Sequence, residues 1–262
     1  MEGPPMTSVQ SGRRTVGWFS AGVASAVACA TVPVDVIARC DTGSEHEDND
    51  RFFWDCVNYF GWRDVHVLKS EKYADVWEVW EDKQYIAGIN GAPCTGALKV
   101  LPRLAFQRPD DIHIFGYTAD TRDANRFEAF KEAWPDMTVR APLIERGITK
   151  KKARALIQGM GLQEPLTYKL GMPNANCIPC GKATSIKYWA LMRRDFPAKF
   201  DRIAELSRRL GARLTRLKGE RIFLDEIPLD TPCSADALPP CDIACELWSE
   251  EIERDHRVDA LL

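Results

Sequence analysis

The chain carries no surplus of positive charge. Across 262 residues, 35 Lys and Arg face 38 Asp and Glu, a formal net charge of −3. Non-specific nucleic-acid binding needs a basic surface to neutralise phosphates, so it is not expected as the main activity. Long apolar runs are also missing: none approaches the roughly 18 residues of a membrane-spanning helix, and no membrane partner is expected. The first residues lack the basic-then-apolar order of a secretory signal, so the expected location is the cytoplasm. Histidine is scarce, and His46, His66, His113 and His256 are scattered with no pair at metal-ligand spacing. No chemistry is assigned to them.

Cysteine, by contrast, is plentiful. Nine cysteines, an odd number, in a reducing compartment point to metal or redox chemistry rather than a disulfide framework. Cys29, Cys40 and Cys56 have apolar neighbours and read as small core residues. Cys94, Cys177, Cys180, Cys233, Cys241 and Cys245 sit beside Pro, Asn and Gly instead.

Hydrophobic patterning gives alternating strands and helices. Buried strands are expected at 15–19, 34–39, 64–68, 111–118 and 138–143. Helical patterns lie between them at 47–60, 76–80, 93–106 and 122–133, followed by 149–160, with Thr149 as N-cap. Such alternation predicts an open, mainly parallel sheet with helices on both faces, and ligands beyond the carboxyl ends of its strands. From Gly161 the pattern changes to a loop carrying Cys177-Ile178-Pro179-Cys180, two helices near 184–195 and 197–210, and a short strand at 221–224.

The polar clusters fall at the predicted strand ends. Ser20-Ala21-Gly22-Val23-Ala24-Ser25 turns a strand into a helix over small residues, where unpaired backbone N–H groups favour an anion. A tightly packed turn without a ligand has the same signature. Arg122 and Arg126 either line a solvated helix or grip a phosphate or sulfate with their planar forks. Lys99, one turn beyond Cys94, either faces solvent or offsets the charge of a thiolate or another anion. The basic run 149–154 is a solvated face or a nucleotide or RNA contact, and Trp77 and Trp80 read as core. Cys177 and Cys180 could also form half of a structural zinc site with Cys241 and Cys245, or remain free thiols.

Taken together, these motifs resemble a family. A Ser-rich loop follows the first strand, Asp41-Thr42-Gly43 the second, and an isolated Cys94 precedes Leu98-Lys99. Gly116-Tyr117-Thr118-Ala119-Asp120 with downstream Arg follows the fourth strand, and a late Cys-Ile-Pro-Cys closes the order. Over roughly 14–190 the chain resembles the phosphoadenosine phosphosulfate (PAPS) reductase family of the adenine nucleotide α-hydrolase (PP-loop) superfamily, and most of all its phage and prophage branch. Against the PP-loop pattern Ser-Gly-Gly-x-Asp-Ser, Ser20, Gly22 and Ser25 match, Ala21 replaces a Gly and Ala24 replaces the Asp.

The resemblance implies an adenine nucleotide, ATP or PAPS, held by Ser20, Ala21, Gly22, Val23 and Ser25. Asp41, Thr42, Gly43, Gly116 and Tyr117 would lie nearby, and Mg would accompany ATP. It implies catalytic roles for Cys94, Lys99, Arg122 and Arg126, and a 4Fe-4S cluster on Cys94, Cys177 and Cys180. Cys233, Cys241 or Cys245 would supply a fourth ligand or a nucleophile. The activity would be sulfur reduction (an oxidoreductase) or ATP-dependent sulfur transfer to a tRNA or protein acceptor. The alternative is a non-catalytic nucleotide-binding protein of the same fold. A homodimer is compatible with either. The expected organisation is a disordered lead-in at 1–12 and a nucleotide-binding α/β domain at 13–160. A helical, Cys-bearing region at 161–262 would pack on the same core.

Overall fold

The computed structural model describes residues 12–88, 91–235 and 238–239. The lead-in 1–11, Cys241, Cys245 and His256 lie outside the described residues. The chain begins β1 (Thr15–Trp18), α1 (Val23–Thr31), β2 (Val36–Cys40), α2 (Asp48–Phe60), β3 (Val65–Leu68) and α3 (Val76–Lys83). A composite helix follows, made of α4 (Pro93–Thr95), a π-helical turn (Gly96–Val100) and α5 (Leu101–Phe106). Next come β4 (Ile112–Ile114), α6 (Thr121–Ala133), β5 (Thr138–Arg140), α7 (Pro142–Glu145), α8 (Lys150–Gly159) and α9 (Leu166–Lys169). Then come α10 (Ile186–Asp195), α11 (Pro197–Arg209), a hairpin of β6 (Thr215–Leu217) and β7 (Glu220–Ile222), and a 3-10 turn (Leu224–Glu226).

The five strands β1–β5 form one parallel sheet in the order β3-β2-β1-β4-β5. The fold is therefore an open α/β fold with helices on both faces. Short strands of Val, Ile and small residues, buried on both sides, are what such a sheet needs, and β2 is buried at all five positions. One face packs Phe19, just after β1, with Val27, Phe52, Phe53 and Ile157 from α1, α2 and α8. The other packs Trp18, Ala38, Phe115, Phe127 and Phe130. A third core joins Trp77, Trp80 and Leu98 to Trp189, Met192, Ile203 and Leu206 of α10 and α11. The C-terminal helices thus share their core with the segment around Cys94.

Local chemistry explains where elements start and stop. Asp75 caps α3 by accepting from the Trp77 and Glu78 N–H groups at 2.8 and 3.0 Å. Thr149 caps α8 through the Lys152 N–H, as its position predicted. The fifth strand stops at Arg140 rather than continuing to 143, because Pro142 suits the first turn of α7. The helix expected over 93–106 forms but contains a π turn. Pro102 has no N–H to give, and the Leu101 N–H reaches back five residues to the Gly96 carbonyl just before it. The strand expected at 221–224 is shorter and starts earlier, as β7 at Glu220–Ile222, because Leu224–Glu226 turn into a 3-10 helix; its partner β6 carried no strong sequence pattern. Among the described residues, no helix is long and apolar enough to cross a membrane.

Candidate functional site

The strand order reverses between β1 and β4, so the loops after these strands diverge and leave a crevice at their carboxyl ends. A cleft of about 780 Å³, solvent mouth included, occupies this place. Ser20, Gly22, Ala24 and Ser25 form one wall and Phe115, Gly116 and Tyr117 the facing one. The rim is cationic: Lys99 comes from the π turn, Arg126 from α6 and Lys150 from α8, against Asp123 as the lining carboxylate.

The serine loop is stitched to itself. Ser25 Oγ donates to the Gly22 carbonyl at 2.9 Å, accepts from the Ser20 N–H at 3.2 Å and lies 3.1 Å from Ser20 Oγ. Ala21 sits in the left-handed region at φ 55°, fully buried, a conformation that favours glycine. Gly116 must be glycine for a different reason: a Cβ there would stand 2.6 Å from the backbone of Ser25. This close approach sets the width of the cleft floor. At the N-terminus of α1, the Val23 N–H already donates to the Tyr168 hydroxyl at 3.2 Å. Burial pushes that phenol up to about 12, so it stays protonated at neutral pH.

The charges are held in place by neighbours. Asp123 accepts from Thr118 Oγ1 at 2.8 Å and pairs with Arg126 at 3.0 Å, while the Arg126 guanidinium lies over the Tyr117 ring. The Lys150 ammonium donates to Asn174 Oδ1, and burial lowers its pKa against the pull of Asp123 and Asp120. Lys99 lies 3.9 Å from Glu45, whose carboxylate also accepts from the buried Arg39 at 2.9 Å. Three cations converging beside one lining carboxylate favour an anion with several charges.

Of the residues expected from sequence, Ser20, Gly22, Ser25, Gly116, Tyr117, Lys99 and Arg126 line the cleft together. The side chains of Ala21 and Val23 are buried in the core beneath the loop. Arg122 is exposed on α6 and is not among the lining residues. Asp41, Thr42 and Gly43 are not among the lining residues; Thr42 and Ser44, just after Gly43, hold the Cys-x-x-Cys loop. Thr42 Oγ1 lies 3.2 Å from Cys177 Sγ, and the Ile178 N–H donates to the Ser44 carbonyl at 2.8 Å. Burial would raise the Asp41 pKa, but the Gly43 N–H and Lys69 hold it low.

Asp123, Tyr168, Asn174 and Asn176 were not expected in the site, and Lys150 was foreseen only through the alternative reading of the run 149–154 as a nucleotide contact. Within that run the two readings divide: Lys150 lines the cleft, while Lys151 and Lys152 face solvent. The two asparagines just before Cys177 were the only available sign for the rest.

The cysteines lie next door. Asn176 lines the cleft, and its Nδ2 is 3.8 Å from Cys180 Sγ. The Cys180 N–H donates to the Tyr188 hydroxyl at 2.7 Å. Cys94 and Cys177 pack against the core that contains Cys180. Among the described residues, no three His, Cys, Asp or Glu side chains converge as a metal site requires.

No protein-family model matches the chain, and no curated protein matches it.

Proposed function

We propose that the chain binds an adenine nucleotide, ATP or PAPS, in this cleft and carries out sulfur reduction or sulfur transfer beside Cys177 and Cys180. One observation carries the reading: Lys99, Arg126 and Lys150 converge on the Ser20–Ser25 loop at the β1/β4 reversal. That is where open α/β sheets bind nucleotides, and the strand order supports an adenine nucleotide α-hydrolase-like fold. The cytoplasm, a tRNA or protein sulfur acceptor, and a 4Fe-4S cluster on Cys94, Cys177 and Cys180 belong to the same proposal. The described residues do not by themselves make the three-thiolate set, so the chemistry assigned to the chain is that of thiols and cations.

In the reductase form, a cysteine thiolate attacks the sulfur of bound PAPS. An S–S bond forms, the S–O bond to phosphate breaks, and the electron pair leaves on the phosphate oxygen. The three cations stabilise that growing charge. In the transferase form, ATP adenylates the acceptor and the same cations hold the departing pyrophosphate.

Ala24 favours a second reading, nucleotide binding without turnover. It lines the cleft where the PP-loop pattern has an Asp, so a carboxylate that would help position Mg is missing there. Purified full-length chain incubated with PAPS and a dithiol reductant, which releases sulfite from the S-sulfonated cysteine and restores its thiol, or with ATP and a tRNA acceptor, separates the two. Sustained release of pyrophosphate, AMP or adenosine 3′,5′-bisphosphate supports the enzyme, binding without release supports the second reading, and no binding overturns both. Iron, sulfide and zinc analysis after anaerobic purification tests the cluster, which a zinc-loaded colourless protein removes.

A further inference from the structure

The chain is acidic overall, but its charge is unevenly spread. Between 208 and 221 six residues are Arg or Lys and one is a carboxylate, against a net charge of −3 for the whole chain. Arg208 pairs with Asp225 and Glu226, and Arg209 lies 3.6 Å from Glu81. The other four, Arg213, Arg216, Lys218 and Arg221, are exposed and make no ion pair among the described residues. Arg216 and Arg221 donate to the Gly219 and Arg213 carbonyls, which leaves their charge uncompensated. They are also direct cross-strand neighbours in the β6–β7 hairpin, while Glu220 alternates to the other face. Like charges set opposite each other destabilise a hairpin, and a bound anion removes that repulsion.

A groove of about 960 Å³, solvent mouth included, runs beside this face. Arg213 and Arg221 line it together with Tyr85 and Phe223, and no carboxylate is among its lining residues. The Arg213 guanidinium lies over the Phe223 ring at 5.0 Å, whereas Tyr85 is 39% exposed. Ile86 backs the groove, and a Cβ at Gly181, next to Cys180, would stand 3.0 Å from it. We infer that this face binds a single strand of nucleic acid, with phosphates on the four cations and a base stacked on Tyr85. Guanidinium forks match phosphate oxygens, and an open aromatic ring in a cationic groove holds a base of any sequence. An acidic peptide would use the cations but leave Tyr85 unused. The inference does not depend on the nucleotide cleft, and through Ile86 it sets the strand close to the Cys-x-x-Cys loop.

The test is anisotropy titration of the full-length chain with short labelled oligouridylate and oligothymidylate over a range of salt. Wild type is expected to bind, with a logarithmic salt slope of about −3, as four phosphate contacts on a single strand give. Arg216→Glu makes the cross-strand pair attractive, so it should melt no lower than wild type yet bind at least about tenfold more weakly. Tyr85→Leu should weaken binding about tenfold and leave the salt slope unchanged. Tighter binding of the ribose strand identifies RNA, equal binding identifies a strand of either sugar, and both support the inference. No binding by wild type at low salt overturns it, as does Arg216→Glu or Tyr85→Leu binding like wild type. Oligoglutamate competing as well as the unlabelled strands also overturns it. Pyrophosphate titration of the same variants reads the cleft separately and should match wild type.

Discussion

The indole N–H of Trp18 donates to His113 Nδ1 at 2.9 Å, joining the end of β1 to β4 directly beneath the cleft. The rings stack with an interplanar angle of 17°, and the Trp18 indole also lines the cleft. Nδ1 is therefore an acceptor, and the neutral imidazole carries its proton on Nε2. Burial drives the His113 pKa down from 6.5 to about 4, with Arg103 and Arg14 assisting and Asp111 opposing. Protonation would need Nδ1 to become a donor facing another donor.

The first expectation follows from that pairing. An unfolded His113 titrates near 6.5 and the folded one near 4, so between these values the unfolded chain binds the extra proton. Stability therefore falls as pH drops through this window, by roughly 3 kcal/mol if the whole shift is realised. Urea unfolding at pH 7.5, 6, 5 and 4.5 reads this slope. His113→Gln retains an acceptor for Trp18 and should flatten it. An unchanged slope would show that other groups set the pH dependence.

The cation cluster gives a comparison among arginines and lysines. Lys99→Ala, Arg126→Ala and Lys150→Ala should each weaken pyrophosphate or AMP binding about tenfold, from loss of a charge-assisted hydrogen bond. Each should also reduce the salt dependence of binding. Arg122→Ala, exposed on the same helix as Arg126, should leave affinity unchanged. An effect at Arg122 equal to that at Arg126 would place the ligand outside this cleft.

Much of the sheet was legible because each strand is a short apolar run bounded by polar strand ends, and a parallel sheet buried on both faces needs that pattern. The Ser20–Ser25 loop was legible because small residues at a strand-to-helix turn have a physical use. Other features depend on contacts far apart in sequence. Lys150 sits in a basic run, and only the packing of α8 on α1 separates it from its solvated neighbours. Tyr168 reaches the start of α1 across 145 residues. Asp41–Gly43 was legible as a polar strand end, but the contacts of Thr42 with Cys177 and of Ser44 with Ile178 are tertiary facts with no local signature.

Gly116 separates close packing from mere preference for glycine. A Cβ at Gly116 meets Ser25 Cα and N at 2.6 Å, backbone atoms that cannot swing aside. Gly116→Ala must push the N-terminus of α1 away from β4, a strain of about 1–3 kcal/mol, and weaken anion binding with it. Gly159, the last residue of α8, has nothing within 4 Å of its would-be Cβ. Gly159→Ala should be neutral or stabilising by up to about 1 kcal/mol. Thermal melts of the two variants, with pyrophosphate titration of each, check both halves; equal melting temperatures would refute the close-packing account.

Glu45 links stability to binding with opposite signs. Its carboxylate accepts from Arg39 at 2.9 Å and stands 3.9 Å from Lys99 on the cleft rim, and both partners are buried. Arg39 also pairs with Asp50 at 2.5 Å, but that carboxylate is mostly exposed, so Glu45 is its buried counter-charge. Glu45→Gln keeps the shape and removes the charge. Arg39 then keeps a buried guanidinium with weaker compensation, which should cost about 1–3 kcal/mol of stability. Lys99 meanwhile loses the nearby negative charge that opposes an incoming anion, so pyrophosphate affinity should rise by about three- to tenfold at low salt, less at high salt. Chemical denaturation and calorimetric titration on one preparation read both quantities. A variant that is less stable and also binds less tightly would mean that Glu45 serves the cleft by positioning Lys99 rather than by restraining its charge.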